Sequence, residues 1–272
     1  MKHLLVALLT LISINLYATD RIGLIGIGAA EILTDLDLIS NVITVDENIK
    51  LLDSYKDKTT FVQADLEQLL EQIVKLKLSH IVCKDIEFTK EEFAKLKDSE
   101  VKIIKLNSKN SIENIIKNIN HIARVFGKMN KAKELENEIK IKQSGIEFAS
   151  YMGNSGVKTL YLNIINKDSI NCSGKATPAF TMINFALGKN VCQEKGWVKL
   201  ENQNYKPELI ICNKDGFDRI GGEKALAQIL SKNGMNINKT ELYVVNGNSF
   251  LAFGSKMPNE VEKLISFYGK MK

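Results

Sequence analysis

A glycine-rich segment near the amino terminus has the most recognisable spacing in this sequence. Gly23-Leu-Ile-Gly26-Ile-Gly28 ends an apolar strand-like run and opens a helix-like run, and Asp46 closes the next strand-like run. This order is typical of dinucleotide sites, where backbone N–H groups at a helix start bind phosphate. Counted from Gly26, however, the third glycine of that motif is replaced by Glu31. We therefore interpret the glycines as a strand-to-helix turn that lines a cleft and presents free N–H groups to a ligand.

The other reactive side chains form no recognisable catalytic or metal-binding pattern. His80 lies in an apolar run and His121 in a helix-like run, and neither has a nucleophile at a familiar spacing. The sequence has no Cys-x-x-Cys pair and no cluster of His and Cys, so a structural zinc site is not expected. We predict that the protein is not an enzyme; the alternative from a different class is an exported αβ enzyme.

The chain contains four cysteines. In an oxidising compartment an even number permits disulfides, and four cysteines allow three connectivities. Cys83 and Cys212 each end an apolar strand-like run, which favours buried free thiols. Cys172 and Cys192 lie on either side of a predicted helix in one lobe, and their pairing is left open.

The elements that must position these residues alternate between strand-like and helix-like runs. Such alternation predicts the α/β class, with parallel sheets covered by helices on both faces. From Ser111 to about Tyr151 the apolar residues recur at helical spacing instead, with a bend expected at Gly127. We therefore predict two αβ lobes, over 19–110 and 153–272, joined by one long rigid interlobe helix over 111–152.

The first residues have the layout of a secretory signal peptide. Lys2 gives a positive start, Leu4–Leu16 is an almost unbroken apolar run, and Ala18 is a small residue at a cleavage position. The run is too short for a membrane span, and no Cys follows it for a lipid anchor. We predict that residues 1–18 are removed and that the mature protein is exported, soluble and periplasmic.

The composition narrows the range of partners. Hydrophobic residues make up 44% and charged residues 25% of the chain, as in ordinary globular proteins. The net charge of +5 comes from scattered lysines, and no Arg-rich or aromatic-interleaved basic patch is present. Nucleic acid is therefore not expected as a partner.

Several motifs share an order along the mature chain. They are the strand, small-residue turn and Glu-Ile-Leu helix start at Arg21–Leu33, the helix and strand at Asp65–Val82, and Gly188-Lys-Asn-Val191, Gly196-Trp197, Lys206-Pro-Glu-Leu-Ile210, Gly221-Gly222 and Phe250–Glu260. In this order they resemble the periplasmic substrate-binding proteins that deliver haem, cobalamin and iron–siderophore complexes to ATP-driven importers. The haem-binding branch is most similar. One departure is Leu78, which stands where the family usually has proline.

The resemblance implies a binding function. It predicts a monomer that captures an iron chelate, first of all haem, in a shallow interlobe cleft and moves little on binding. It also predicts delivery of this transported ligand to an inner-membrane ABC permease. Cobalamin or a ferric siderophore is the alternative ligand, with Phe61 and Trp197 as an aromatic wall.

For haem, the resemblance implies aromatic walls, donors for the carboxylates and an axial ligand for iron. The residues expected to form the walls and supply the donors are Phe61, Trp197 and Phe250, and Gly28, Ala29 and Arg219. Phe61 occupies the neighbourhood of the tyrosine that ligates iron in relatives. Tyr55, a few residues upstream, is therefore the expected ligand of the haem iron.

The resemblance also implies one acidic residue on each lobe that docks onto basic pockets of the permease. The matching positions are Glu67, at the start of its predicted helix, and Glu201, before Lys206-Pro207. An alignment shifted by one helical turn selects Glu71 in place of Glu67.

Overall fold

The computed structural model describes residues 20–61, 66–151, 153, 156–201, 204–235, 237 and 239–271. The predicted signal peptide lies outside these residues, and so does Asp65, the first residue of the motif Asp65–Val82. The described residues form two αβ lobes, which confirms the predicted fold class.

The N-terminal lobe is built on a five-stranded sheet in the order β3-β2-β1-β4-β5, and every pair in it is parallel. Its strands are β1 (Ile22–Leu24), β2 (Val42–Val45), β3 (Thr59–Thr60), β4 (His80–Lys84) and β5 (Lys102–Leu106). Its first three helices are α1 (Ile27–Asp35), α2 (Leu66–Lys75) and α3 (Lys90–Asp98). The central strand β1 is buried throughout, as expected for a parallel strand covered on both faces.

The C-terminal lobe contains a six-stranded sheet in the order β11-β10-β6-β7-β9, with β8 paired to β6. Its strands are β6 (Lys158–Asn166), β7 (Ser169–Ser173), β8 (Lys189–Asn190), β9 (Trp197–Lys199), β10 (Leu209–Asn213) and β11 (Glu241–Val245). Its helices are α6 (Pro178–Phe185), α7 (Lys214–Ile220), α8 (Gly222–Lys232), α9 (Gly247–Leu251) and α10 (Met257–Lys270). Strands β6, β10 and β11 are parallel, whereas β7 runs antiparallel to β6 and β9.

The segment between the lobes is two helices rather than the predicted single helix. They are α4 (Ile112–Val125) and α5 (Met129–Tyr151). Gly127 adopts a φ of 67°, and the N–H of Lys128 donates to the carbonyl of Ala123 at 2.8 Å, which ends α4. The chain then folds back, so that α5 packs beside α4. A hydrogen bond from Asn120 Nδ2 to Glu136 Oε2, 3.0 Å long, joins the two helices. The interlobe helix is therefore α5 alone, about 35 Å long.

Helix α5 has 23 residues, which is long enough to span a bilayer. Its sequence is nevertheless rich in lysine and glutamate, and Lys142 Nζ lies 3.1 Å from Glu262 Oε2 of α10. Within the described ranges, no helix combines the length and the apolar character that crossing a membrane requires.

The two lobes share a continuous apolar core. It includes Ala30 and Leu33 of α1, Ile139 of α5, and Phe253 and Met257 of the C-terminal lobe, all buried. A core that crosses the lobe boundary adds to the connection made by α5, because separating the lobes would expose this surface to water.

All four cysteines are buried and carry free thiols in this structure. Cys83 and Cys212 lie in β4 and β10, as predicted for buried thiols. Burial raises the pKa of Cys83 to about 12, so this thiol stays protonated at neutral pH.

Candidate functional site

The carboxyl ends of strands from both sheets face a cleft between the lobes, with a volume of about 260 Å³. Residues that line it include Gly26, Gly28 and Lys84 of the N-terminal lobe and Tyr161, Asn163, Asn213, Asp215, Gly247 and Asn248 of the C-terminal lobe. In open α/β sheets, ligands bind beyond the carboxyl ends of the strands. The volume is slightly below the range of about 300–1,000 Å³ typical of small-molecule sites. A large chelate would therefore project from the cleft into solvent.

On the N-terminal side, the glycine turn is held by a buried carboxylate. Asp46 accepts the N–H of Gly26 on Oδ2 at 2.5 Å and the N–H groups of Asn48 and Ile49 on Oδ1 at 2.8 and 3.1 Å. These bonds use both oxygens of Asp46 and fix Asn48 where it lines the cleft. Asp46 therefore positions the turn and is not itself free to bind a ligand.

The first turn of α1 presents free donors to the cleft. Gly26 caps α1 without a side-chain hydrogen bond, and Ile27 and Gly28 line the cleft. Within the described part of the chain, the backbone N–H groups of Ile27 and Gly28 donate to no acceptor. Unbonded N–H groups at a helix start carry partial positive charge and favour anionic ligands.

Lys84 supplies a cation at the same place. It ends β4, and its Nζ donates to the carbonyl of Ala252 in the C-terminal lobe at 3.3 Å. Burial holds the pKa of Lys84 below its usual value, and the nearby acidic side chains of Glu87, Glu31 and Asp85 oppose this shift only in part. Among the described residues, the carbonyl of Ala252 is the one hydrogen-bond partner of this ammonium, which lies at the boundary between the lobes.

On the C-terminal side, Tyr161 of β6 is fully buried. Its ring stacks on Phe250, with centroids 5.6 Å apart and planes at 4°, and lies 6.0 Å from the ring of Trp197. Burial raises the pKa of the Tyr161 phenol. Among the described residues, its hydroxyl has no hydrogen-bond partner. A buried polar group without a partner costs about 1–3 kcal/mol, so this hydroxyl calls for a functional explanation.

Tyr55 does not suit its predicted role as the iron ligand. Its side chain is fully buried under α1, and its hydroxyl donates to the carbonyl of Ala30 at 3.0 Å and contacts Thr34 Oγ1 at 3.1 Å. Burial raises the pKa of Tyr55 to about 12, which opposes the phenolate form that binds ferric iron. The prediction is wrong because Tyr55 is a core residue.

The predicted aromatic walls divide into buried and exposed rings. Phe61 is buried in the N-terminal lobe, and its ring lies against Gly23, so its prediction as a cleft wall is wrong. Phe250 is also buried, but it supports the ring of Tyr161 from behind. Trp197 is 41% exposed with its ring 6.0 Å from that of Tyr161, but it is not among the described residues that line the cleft.

The predicted donors also divide. Gly28 lines the cleft, whereas Ala29 is buried in α1. Arg219 of α7 is exposed, and its Nη1 donates to the carbonyl of Ile165 at 2.5 Å, away from the cleft lining. The prediction of Arg219 as a ligand donor is therefore wrong, because its guanidinium is bonded to the end of β6.

The two docking candidates are both exposed, one on each lobe. Glu67 lies in the first turn of α2, and Glu71 lies one turn further along the same helix. Glu201 follows β9 and forms an ion pair with Lys199. Their contact with a permease stays a prediction.

Several cleft residues were not predicted from the sequence. Lys84, Asn213 and Asn248 follow apolar strand-like runs, a position that marks the carboxyl edge of a parallel sheet. That signal could have identified them. Tyr161 gives no such signal, since it lies inside its apolar run.

Behind the cleft, α1 is bonded to the segment before α10. Asp35 accepts hydrogen bonds from Ser255 Oγ at 2.7 Å and from Lys256 Nζ at 2.6 Å. Glu31 accepts a hydrogen bond from the backbone N–H of Lys256 at 3.2 Å. Burial raises the pKa of Glu31 to about 8. We call these four residues the interlobe seam; it fixes α1 against the C-terminal lobe.

Comparisons with known proteins agree with this architecture. No family model matches the chain. The uncharacterized ABC transporter substrate-binding lipoprotein YvrC of Bacillus subtilis (strain 168) is 23% identical over 243 residues, which are 86% of this chain and 75% of that protein.

Among solved structures, the periplasmic heme-binding protein BhuT in complex with two hemes has a TM-score of 0.78 at 16% identity, over 92% of this chain and 98% of its own. The periplasmic heme-binding protein RhuT from Roseiflexus sp. RS-1 has a TM-score of 0.77 at 16% identity. The match covers 93% of this chain and 100% of the RhuT chain. The fold is thus that of two-lobed periplasmic binding proteins. Within that class, the chain has the fold of the heme-binding proteins, which the ordered motifs predicted.

Proposed function

We propose that this protein is the substrate-binding component of an ABC importer, a monomer that captures a small ligand between its lobes for an inner-membrane permease. The observation that carries the proposal is the cleft at the carboxyl ends of both sheets, which contains donors from each lobe that have no partner among the described residues. The fold shared with the heme-binding neighbours and the likeness to the Bacillus substrate-binding lipoprotein support it.

The first candidate ligand is haem, as the heme-binding neighbours suggest. Its carboxylates would bind the N–H groups of Ile27 and Gly28 and the ammonium of Lys84. Haem iron is usually held by side chains such as His, Met, Cys or Tyr. Tyr161 is of such a type and, among the described residues, lines the cleft, but burial raises the pKa of its phenol and opposes the phenolate that binds ferric iron, so it is not proposed as the axial ligand.

The second candidate is a ferric siderophore, and the polarity of the cleft favours it. Asn48, Asn163, Asn248, Lys84 and Asp215 all line the cleft. Such side chains suit the oxygen-rich surface of a siderophore better than the apolar faces of a porphyrin, which need aromatic walls. Cobalamin is the other alternative ligand.

Titration of the purified protein with haemin, ferric citrate and cyanocobalamin tests this function. The chain contains one tryptophan, Trp197, close to the cleft, so its fluorescence reports binding of each compound. Haem capture predicts a shifted Soret band as well as quenching, whereas ferric citrate should quench without any Soret signal. Failure of all three compounds to bind would contradict the proposed class of ligand.

We extend the proposal to Glu67 and Glu201 as the contacts with the permease. A lysine at either position would face a basic pocket of the permease, and this like-charge repulsion would cost several kcal/mol. Glu67→Lys or Glu201→Lys should therefore abolish stimulation of the importer ATPase. Glu71→Lys decides the shifted alternative, and Glu113→Lys, on the exposed face of α4, is the matched control. Ligand affinity should not change in any of these variants. Normal stimulation by the Glu67→Lys/Glu201→Lys double variant would exclude both residues.

Export to the periplasm is part of the same proposal. It rests on the signal-like segment 1–18 and on the location in the names of the heme-binding neighbours. N-terminal sequencing of the protein from its native cells should begin near residue 19. Retention of Met1 would contradict export by this route.

A further inference from the structure

The hydroxyl of Tyr161 stands apart from those of the other fully buried tyrosines. Tyr55 donates to the carbonyl of Ala30, and the hydroxyl of Tyr268 lies 2.9 Å from Thr159 Oγ1. Only Tyr161, among the buried tyrosines described, has a hydroxyl without a protein partner. Because nearly all buried polar groups are hydrogen-bonded, a missing partner from outside the chain is the direct explanation.

Packing keeps this hydroxyl in place. The ring is fixed between β6 and Phe250, on which it stacks with nearly parallel planes. A Cβ added at Gly247 would lie 3.3 Å from the oxygen of Tyr161 and 2.6 Å from the Cβ of Asn213, so Gly247 and Asn213 pack closely beside the hydroxyl. Both residues line the cleft. The hydroxyl is therefore held at the cleft boundary, where a ligand atom can become its partner.

The groups across the same cleft are also donors. The N–H groups of Ile27 and Gly28 at the start of α1 are unbonded within the described chain, and the Lys84 ammonium has one backbone acceptor. The carboxylate of Asp46 is already used by three backbone N–H groups. Asp215 is the exposed carboxylate in the lining, at the first turn of α7. Donors on both sides complement an oxygen that carries negative charge.

We propose that Tyr161 donates a hydrogen bond to an anionic oxygen of the transported ligand, which the N–H groups of Ile27 and Gly28 and the ammonium of Lys84 bind from the other lobe. This inference rests on the proposed function and deepens it by naming the ligand group. Two sources share this chemistry: a haem carboxylate, and a carboxylate or other oxygen donor of a ferric chelate.

The variant Tyr161→Phe separates binding from folding. Removing an unpartnered buried hydroxyl leaves no protein bond broken, so the melting temperature of the ligand-free protein should stay the same or rise. The affinity for the ligand should fall by about tenfold to a hundredfold, as expected for a lost hydrogen bond to a charged group. Tyr268→Phe is the matched control, because its hydroxyl is bonded to Thr159 and lies outside the cleft lining. It should lower the melting temperature and leave affinity unchanged.

Equilibrium dialysis of wild type and both variants against haemin, and separately against ferric citrate, completes the test. A loss confined to haemin assigns the bond to a haem carboxylate, and a loss confined to ferric citrate assigns it to a chelate oxygen. If Tyr161→Phe binds every compound that wild type binds, and with the same affinity, this inference is wrong while the proposed function stands. If wild type binds cyanocobalamin alone, this inference is wrong, and if it binds none of the three compounds the proposed function fails as well. A melting temperature for Tyr161→Phe as low as that of Tyr268→Phe would also overturn the inference.

Discussion

The cleft and the interlobe seam lie between the same two parts of the chain, yet their polar groups are arranged in opposite ways. In the seam, Asp35 is bonded to Ser255 and Lys256, and Glu31 to the backbone of Lys256. In the cleft, the hydroxyl of Tyr161 has no partner among the described residues. Bonded groups hold the lobes together, whereas unbonded groups gain their partners only when a ligand enters.

A single helix contributes to both regions. Gly28, Glu31 and Asp35 of α1 are spaced by three and four residues and therefore share one face of the helix. The first turn of this face meets the cleft, and the later turns meet the seam. The seam therefore fixes the donors of α1 before the ligand arrives, which reduces the ordering cost of binding.

The largest expected effect comes from Glu31. Its pKa is raised from 4.5 to about 8 by burial, so between these values only the folded protein keeps the proton. The free energy of unfolding should therefore fall as pH rises through this window, by roughly 4–5 kcal/mol in total. Urea unfolding at pH 5 and pH 9 measures this fall, and Glu31→Gln should remove most of it.

Glu113→Gln serves as the control for Glu31→Gln, because Glu113 is exposed on the surface of α4. It should retain the pH dependence of wild type. An unchanged pH dependence in Glu31→Gln would mean that the seam does not hold a protonated carboxyl, and the contrast with the cleft would weaken.

A smaller effect on stability is expected at Gly28, where α1 packs against the backbone of the C-terminal lobe. A Cβ at Gly28 would lie 2.5 Å from the carbonyl oxygen of Ala252, a backbone atom that cannot easily move. Gly28→Ala should therefore lower stability by about 2 kcal/mol, or about 4–8 °C in melting temperature. Gly145→Ala in α5 is the matched control, since nothing lies within 4 Å of its added Cβ. It should raise the melting temperature slightly, and equal destabilisation by both variants would contradict the close approach.

The smallest expected effect concerns Tyr55. Tyr55→Phe removes its bond to Ala30 and should cost about 1–2 kcal/mol of stability without changing ligand affinity. Thermal unfolding and dialysis against haemin measure the two quantities. A loss of affinity or of a haem spectrum in this variant would restore Tyr55 as a ligand residue and contradict its place in the core.

The sequence predicted the order of strands and helices well, because parallel strands and amphipathic helices leave strong periodic patterns. It also predicted the glycine turn at Gly26 and Gly28, which lines the cleft. Strands β3, β8 and β9 were missed, since strands of two or three residues show no period. The fold-back after Gly127 was missed because an αL glycine can bend a helix or end it, and tertiary packing decides which.

The site was harder to predict than the fold. Tyr55 and Phe61 were assigned to the cleft by their places in the sequence, but neighbouring positions in a loop can point to the surface or to the core. Both point to the core. Tyr161 lies inside an apolar strand, and only the three-dimensional structure reveals that its hydroxyl lacks a partner.

A crystal structure with a bound chelate, haemin or ferric citrate as the titrations select, tests the central claim most directly. In this complex we expect an anionic ligand oxygen at hydrogen-bond distance, about 2.6–3.1 Å, from both the Tyr161 hydroxyl and the N–H groups of Ile27 and Gly28. We also expect that the bonds of Asp35 to Ser255 and Lys256 persist in the complex. A ligand bound outside the cleft, or a complex in which the Tyr161 hydroxyl still has no partner, would contradict the central claim.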